Sequence, residues 1–133
     1  MDSVHDVLIH KLTEHSRIDP EDETAVRSLA VRMRELQPDE DLLAEDSKSD
    51  TVALVIDGLI ARYHTRSNGK RQYLSFHMSG DLPDAQALFL EQRDHALCSI
   101  GRARVGLIGR EELLELIKAR PSVGFEVWRG TLI

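Results

Sequence analysis

The chain has 133 residues, a formal net charge of −6, 41% hydrophobic and 30% charged residues, and one cysteine. That length suits one domain around a single core, no apolar run approaches the ~20 residues of a membrane-spanning helix, and the lone Cys98 excludes an internal disulfide framework or a Cys-based metal cluster. The start Met1-Asp2-Ser3-Val4-His5-Asp6 lacks the basic and then apolar pattern of a secretory signal, so a cytoplasmic location is the default.

Two short helices are predicted to open the chain. Ser3 can cap a segment with Val4, Val7, Leu8 and Leu12 at helical spacing. The second start has Asp19 as cap, Pro20 at the first helical position, and Glu21, Asp22 and Glu23 favouring the positive helix end; Val26, Leu29, Ala30 and Met33 form its apolar stripe. His5, His10 and His15 recur every five residues. Five residues advance about 500° around a helix, so they share no face and read as surface residues rather than a metal motif.

Between Asp19 and Asp50 there are eleven Asp/Glu against four Lys/Arg. An acidic domain is a poor match to DNA, whose phosphates call for Lys and Arg. From about Val31 to Ile108 the pattern is one of short strands. Thr51–Ile56 is β-rich, Asp57-Gly58 reads as a tight hairpin turn, and Leu59–His64 is the returning strand. Arg66-Ser67-Asn68-Gly69 is a second turn signal, and Arg62, Arg66, Lys70 and Arg71 cluster around it as a solvated basic turn. Next, Leu74, Phe76 and Met78 alternate with Tyr73, Ser75 and His77, giving an apolar and a more polar face. Further strands are expected near Ala96–Ile100 and Arg104–Ile108. Many short strands at this spacing point to a sandwich, a jelly roll or a barrel.

Between the third and fourth of these strands lies Ser79-Gly80-Asp81-Leu82-Pro83-Asp84-Ala85-Gln86-Ala87-Leu88-Phe89, followed by Asp94-His95-Ala96-Leu97: a turn and short helix, then a strand returning past it. Helix resumes at Glu111–Ala119, with Leu113, Leu114, Leu116 and Ile117 apolar, and stops at Arg120-Pro121. Ser122–Ile133 opens another helix with Val123, Val127 and Trp128 apolar, ending on Leu132-Ile133 without a cap or polar tail. The expectation is that the native protein continues.

The turn-and-helix segment resembles the phosphate-binding cassette of Crp/Fnr-type bacterial transcription regulators, which runs roughly Gly-Asp-x-x-Gly-Glu-x-x-Leu-Phe and then Arg-Ser/Thr-Ala. Gly80, Asp81, Leu88 and Phe89 keep that frame, while the cassette Gly falls on Asp84, the ribose-binding Glu on Ala85, the phosphate-binding Arg on His95 and the Ser/Thr on Ala96. Gly80-Asp81-Leu82-Pro83-Asp84-Ala85-Gln86, Asp94-His95-Ala96-Leu97 and Trp128–Ile133 are similar to an alphaproteobacterial branch of that family. The resemblance covers residue 15 to the end. It implies a mainly β fold, a double-stranded β-helix (jelly roll) with flanking N- and C-terminal helices. It further implies a sensor domain over residues 1–133, with a dimerisation helix starting at about 122–133 and a helix-turn-helix domain beyond. The candidate ligand positions are Gly80, Asp81, Asp84, Ala85, Gln86, His95 and Ala96. The candidate dimer contacts are Val123, Val127, Trp128, Leu132 and Ile133, giving a weak homodimer. DNA would be bound only through the missing domain, and no cofactor or membrane is implied.

A cyclic phosphate calls for a bidentate guanidinium and free helix N-terminal N–H groups. Histidine has no such fork of donors, Asp84 would repel the phosphate, and Ala85 offers no oxygen to a ribose. The expected effector is therefore an unknown small molecule rather than cyclic AMP. Two other readings stand beside this one. The first is a genuine cyclic-nucleotide-binding module. The second is a cupin-like metal-dependent enzyme, which would need a His-x-His pair that the chain lacks. Asp94-His95 as an acid–base pair fits poorly, since neighbours in a strand face opposite ways. There is no nucleophile elbow or Gly-rich phosphate loop, so no catalytic residue is assigned. Cys98 reads as a buried, inert thiol.

Overall fold

A computed structural model describes residues 4–14, 17–43, 50–88 and 95–130. Helices α1 (Val4–Leu12) and α2 (Pro20–Arg27) lead into β1 (Val31–Leu36), β2 (Asp41–Leu43), β3 (Thr51–Thr65) and β4 (Arg71–His77). A 3₁₀ turn over Ala85–Leu88, the long strand β5 (Ala96–Gly109), and helices α3 (Arg110–Ala119) and α4 (Pro121–Gly130) complete it. The expected jelly roll with flanking helices is what forms. Asp19 caps α2 by accepting the Glu21 N–H at 3.1 Å, with Pro20 behind it. The helix ends earlier than its apolar stripe suggested. The Ser28 hydroxyl donates to the Ala25 carbonyl at the C-terminus, and Met33 sits on β1 with 45% exposure. β-Branched Val31 starts that strand, whose pairing with β5 outweighs helical continuation.

β5 is the spine. β1 and β2 pair with it on one side and β3 on the other, all antiparallel, while β4 pairs with the second half of β3. No hairpin forms at Asp57-Gly58. Thr51–Thr65 is one strand, because both halves find partners along the same β5, from Gly109 back to Ala96. Gly58 takes φ +86° at a bulge where the register shifts, and a Cβ there would lie 2.4 Å from the Arg102 carbonyl oxygen. The strand bends at that point instead of reversing. The two strands expected near Ala96–Ile100 and Arg104–Ile108 are likewise one, carrying Gly101 at φ +71°. The turn at Arg66–Gly69 does form: Gly69 N–H donates to the Arg66 carbonyl at 2.9 Å and Arg66 N–H to the Lys70 carbonyl at 2.8 Å.

Alternation along β3 divides the interior in two. Val52 and Leu54 face the helices, packing with Leu8, Leu12, Val26, Leu113, Val123 and Val127. Ala53 and Val55 face the other way, into an all-strand core with Leu36, Ile60, Leu97, Val105 and Leu107. β4 is turned opposite to a hydrophobic-in strand: Leu74, Phe76 and Met78 are 46%, 56% and 65% exposed, whereas Ser75 and His77 are half-buried. Of the evenly spaced histidines, His5 is no free surface residue, since its Nε2 lies 2.7 Å from the Leu29 carbonyl and ties α1 to the end of α2. His10 is exposed, and Ser3 and His15 lie outside the described residues.

Candidate functional site

The cassette-like segment completes an edge of the sheet. Over residues 51–57, β3 pairs among the described strands with β5 on one side only. On the other, Val55 N–H donates to the Asp81 carbonyl at 2.9 Å and the Val55 carbonyl accepts Gly80 N–H at 2.8 Å. One step back, Ala53 N–H donates to the Asp84 carboxylate, Oδ1 at 3.2 Å. Asp84 is 1% exposed; its side chain stands where a main-chain acceptor of another strand would be. Gly80 takes φ +93° to make the preceding turn. Asp81 locks that turn by accepting Met78 N–H at 3.0 Å and binding Lys11 Nζ at 3.1 Å.

Ala85, Ala96 and His95 are buried as well. Ala85 is 2% exposed and packs with Leu88 in the helix-side core. Ala96 is buried beside Ala61, Tyr63 and Cys98 on the far face of β3 and β5. His95, 7% exposed, enters β5 just before Ala96, which pairs with Tyr63. The Gln86 side chain, Phe89 and Asp94 lie outside the described residues, as do Leu132 and Ile133. Of the remaining dimer candidates, Val123 and Val127 belong to the chain's own helix-side core, at 3% and 4% exposure. Trp128 is 48% exposed and Phe125, which sequence reasoning passed over, 58%.

The basic cluster does not stay together in solvent. Arg66 and Lys70 are exposed at the turn. Arg71 instead lies over the Tyr63 ring, 4.3 Å from its centroid, and pairs with Asp39 at 2.6 Å. Tyr63 donates to Asp41 at 2.7 Å, and burial with that bond pushes its phenol up to about 12. Arg62 is half-buried, and its Nε is buried with no hydrogen-bond partner among the described residues. A buried donor left unpaired costs about 1–3 kcal/mol. Opposite Arg62 on β4 is Ser75, whose Oγ lies 2.8 Å from His77 Nε2. Burial pushes the His77 imidazole below its usual pKa; Asp81 opposes this, while Arg62, His95 and Lys11 add to it. These inward polar residues of β3 and β4 escaped the sequence reading. The alternation in β4 was visible, but its parity does not say which face turns inward.

His64 and His77 stand on adjacent strands opposite Gln72 and Ile60, and among the described residues no three His, Cys, Asp or Glu side chains converge as a metal site. Cys98 is fully buried, and burial pushes its thiol upward. Between α1 and the Ser79-Gly80 turn lies a groove of about 340 Å³ lined by Asp6, His10, Lys11 and Glu14. Its charges are of both signs, and Lys11 is already paired with Asp81 and Glu14. No described helix is long and apolar enough to cross a membrane.

Residues 33–120 match the family described as cyclic nucleotide-binding domain. No curated protein matches the chain. Its fold is similar to the N-terminal domain of a transcriptional regulator from Streptomyces coelicolor A3(2), with a TM-score of 0.71 and 20% identity over 96% of this chain and 90% of that one. It is similar to the Thermus thermophilus catabolite activator protein, at 0.73 and 19% over 90% of this chain and 55% of that one. FixK2 from Bradyrhizobium japonicum gives 0.71 and 25% over 78% and 52%. The chain therefore spans about half the length of the last two.

Proposed function

The chain belongs to the cyclic nucleotide-binding domain family, and on that premise we propose that it is the sensor domain of a Crp/Fnr-type DNA-binding regulator that does not respond to cyclic AMP. The observation that carries this reading is the use made of the cassette. Asp84 serves as the acceptor for Ala53 N–H and Ala85 is packed in the core, so neither is placed to receive a ribose or a phosphate. The regulator part is supported by the likeness to the Streptomyces regulator domain. The family match itself favours a second reading, a working cyclic-nucleotide module. Calorimetry with cyclic AMP and cyclic GMP separates the two: no heat of binding is expected at micromolar nucleotide, and a low-micromolar dissociation constant would favour the second.

In this reading the protein acts in the cytoplasm and is not an enzyme, and DNA is bound by a further helix-turn-helix domain. A formal charge of −6 leaves the sensor without the Lys/Arg surface that phosphates require. A gel-shift comparison on the upstream region of the regulator's own operon is expected to show salt-sensitive binding by a longer form carrying that domain and none by residues 1–133. Specific binding by the shorter form would refute the division of labour.

Pairing of two copies would use the outer face of α4, where Phe125 and Trp128 are exposed, rather than Val123 and Val127. So short a helix falls below the ~1,000 Å² that stable interfaces bury. Analytical ultracentrifugation is expected to give a weak monomer–dimer equilibrium that Trp128→Ala shifts to monomer. An unchanged equilibrium in that variant would place the contact elsewhere.

A further inference from the structure

The inner side of β3 and β4 holds a cationic group that the cassette does not account for. Arg62 follows Ile60 of the all-strand core on the same face, with Ser75 and Leu97 as its register partners. Its Nε is buried and unpartnered, and among the described residues its guanidinium makes no ion pair. Two residues along β4 from Ser75, His77 rests on the Ser75 hydroxyl, with Asp81 Oδ2 at 3.7 Å from Nδ1. Asp81, the carboxylate beside His77, is also engaged by Met78 N–H and Lys11. Burial holds His77 toward its neutral form, with Arg62, His95 and Lys11 adding to this and Asp81 opposing it.

The orientation of β4 points the same way. A strand covering a hydrophobic roll turns its apolar set inward, yet here Leu74, Phe76 and Met78 face solvent and Ser75 and His77 face in. The roll is therefore polar at this end, around a guanidinium edge with no counter-ion among the described residues. Buried charges and donors of this kind are ordinarily matched, and the missing partner is an anion.

We propose that Arg62, lined by Ser75 and His77, is the binding site for the carboxylate of a small organic acid. The Nε–H and an adjacent Nη–H form a parallel pair that matches two carboxylate oxygens. One negative charge balances the one guanidinium of this group. A phosphate dianion would bring a second charge toward Asp81, whose Oδ2 lies 3.7 Å from His77 Nδ1. The site is made of strand residues and uses none of the cassette positions. It deepens the sensor reading by naming the class of effector, and rests on that reading only for its consequence at DNA.

Nitrogen-15 NMR of the protein, following the Arg62 Nε–H resonance assigned by its loss in Arg62→Gln, tests the site directly. Acetate, lactate and inorganic phosphate are titrated separately. Acetate and lactate are expected to shift that resonance saturably, with phosphate about tenfold weaker, and Arg66→Gln is expected to bind as the unsubstituted protein does. The proposal fails if no probe moves the resonance saturably, if phosphate binds as tightly as the carboxylates, or if binding persists in an Arg62→Gln protein whose circular dichroism is native. The titration reads binding alone, so its failure is distinct from a failure of the gel-shift test of the regulator.

Discussion

Gly58→Ala is expected to destabilise the protein by roughly 2–5 kcal/mol, whereas Gly69→Ala costs only about 1–2 kcal/mol. Both residues hold left-handed backbone, φ +86° and +82°, so the strain of adding a Cβ in that conformation is common to them. What differs is the space. Nothing lies within 4 Å of a Cβ at Gly69, but one at Gly58 would meet the Arg102 oxygen at 2.4 Å and Ala103 Cα at 2.8 Å. Those atoms belong to β5 and cannot retreat without opening the β3–β5 ladder that supports both cores. Against a total stability of about 5–15 kcal/mol, the Gly58 variant stands near the edge of unfolding. Urea titration of the two variants side by side measures this. Equal losses would mean that β3 and β5 do not approach so closely at the bend.

The same glycine marks where local sequence stops being informative. Asp19-Pro20, Arg66–Gly69 and Arg120-Pro121 were readable because caps, tight turns and helix stops are decided within a few residues. Asp57-Gly58 has the chemistry of a two-residue hairpin, but a bulge asks for the same positive φ. The choice between them is made by β5, some forty residues away, which pairs with both halves of β3. Met33 shows the same limit: it fits the helical period of α2 and is claimed by the β1–β5 ladder. At the candidate site the substitutions at Asp84, Ala85 and His95 were visible as departures from a cassette, while the bond from Ala53 N–H to Asp84 and the burial of all three were not. Asp84 takes the Ala53 N–H where residues 51–57 of β3 have no described strand on that side. Arg62 lay in a run of basic residues around a turn, and only the β3–β4 register carries it inward while Arg66 stays in water.

Rewriting the cassette to the form it resembles, by Asp84→Gly with Ala85→Glu and His95→Arg, is expected to unfold the protein rather than create a nucleotide site. The first change removes the acceptor of Ala53 N–H at a position 1% exposed, leaving a buried donor unpaired at about 1–3 kcal/mol. The second puts a carboxylate where a methyl group is packed beside Leu88 at 2% exposure. Without a cation to receive it, that burial costs roughly 3 kcal/mol or more. The third enlarges a side chain that is 7% exposed and adds positive charge beside His77, where Arg62 and Lys11 already act. Losses at Asp84 and Ala85 fall on neighbouring residues, so they need not add, but either is a large fraction of the stability of a domain this size. Asp84→Asn is the control: it retains Oδ1 as an acceptor and is expected to lose less than Asp84→Gly. Thermal unfolding followed by circular dichroism, with and without cyclic AMP, distinguishes the outcomes. A triple variant that melts as the unsubstituted protein does and is stabilised by the nucleotide would mean that the cassette is an open site, and that Asp84 is not what closes the edge of β3.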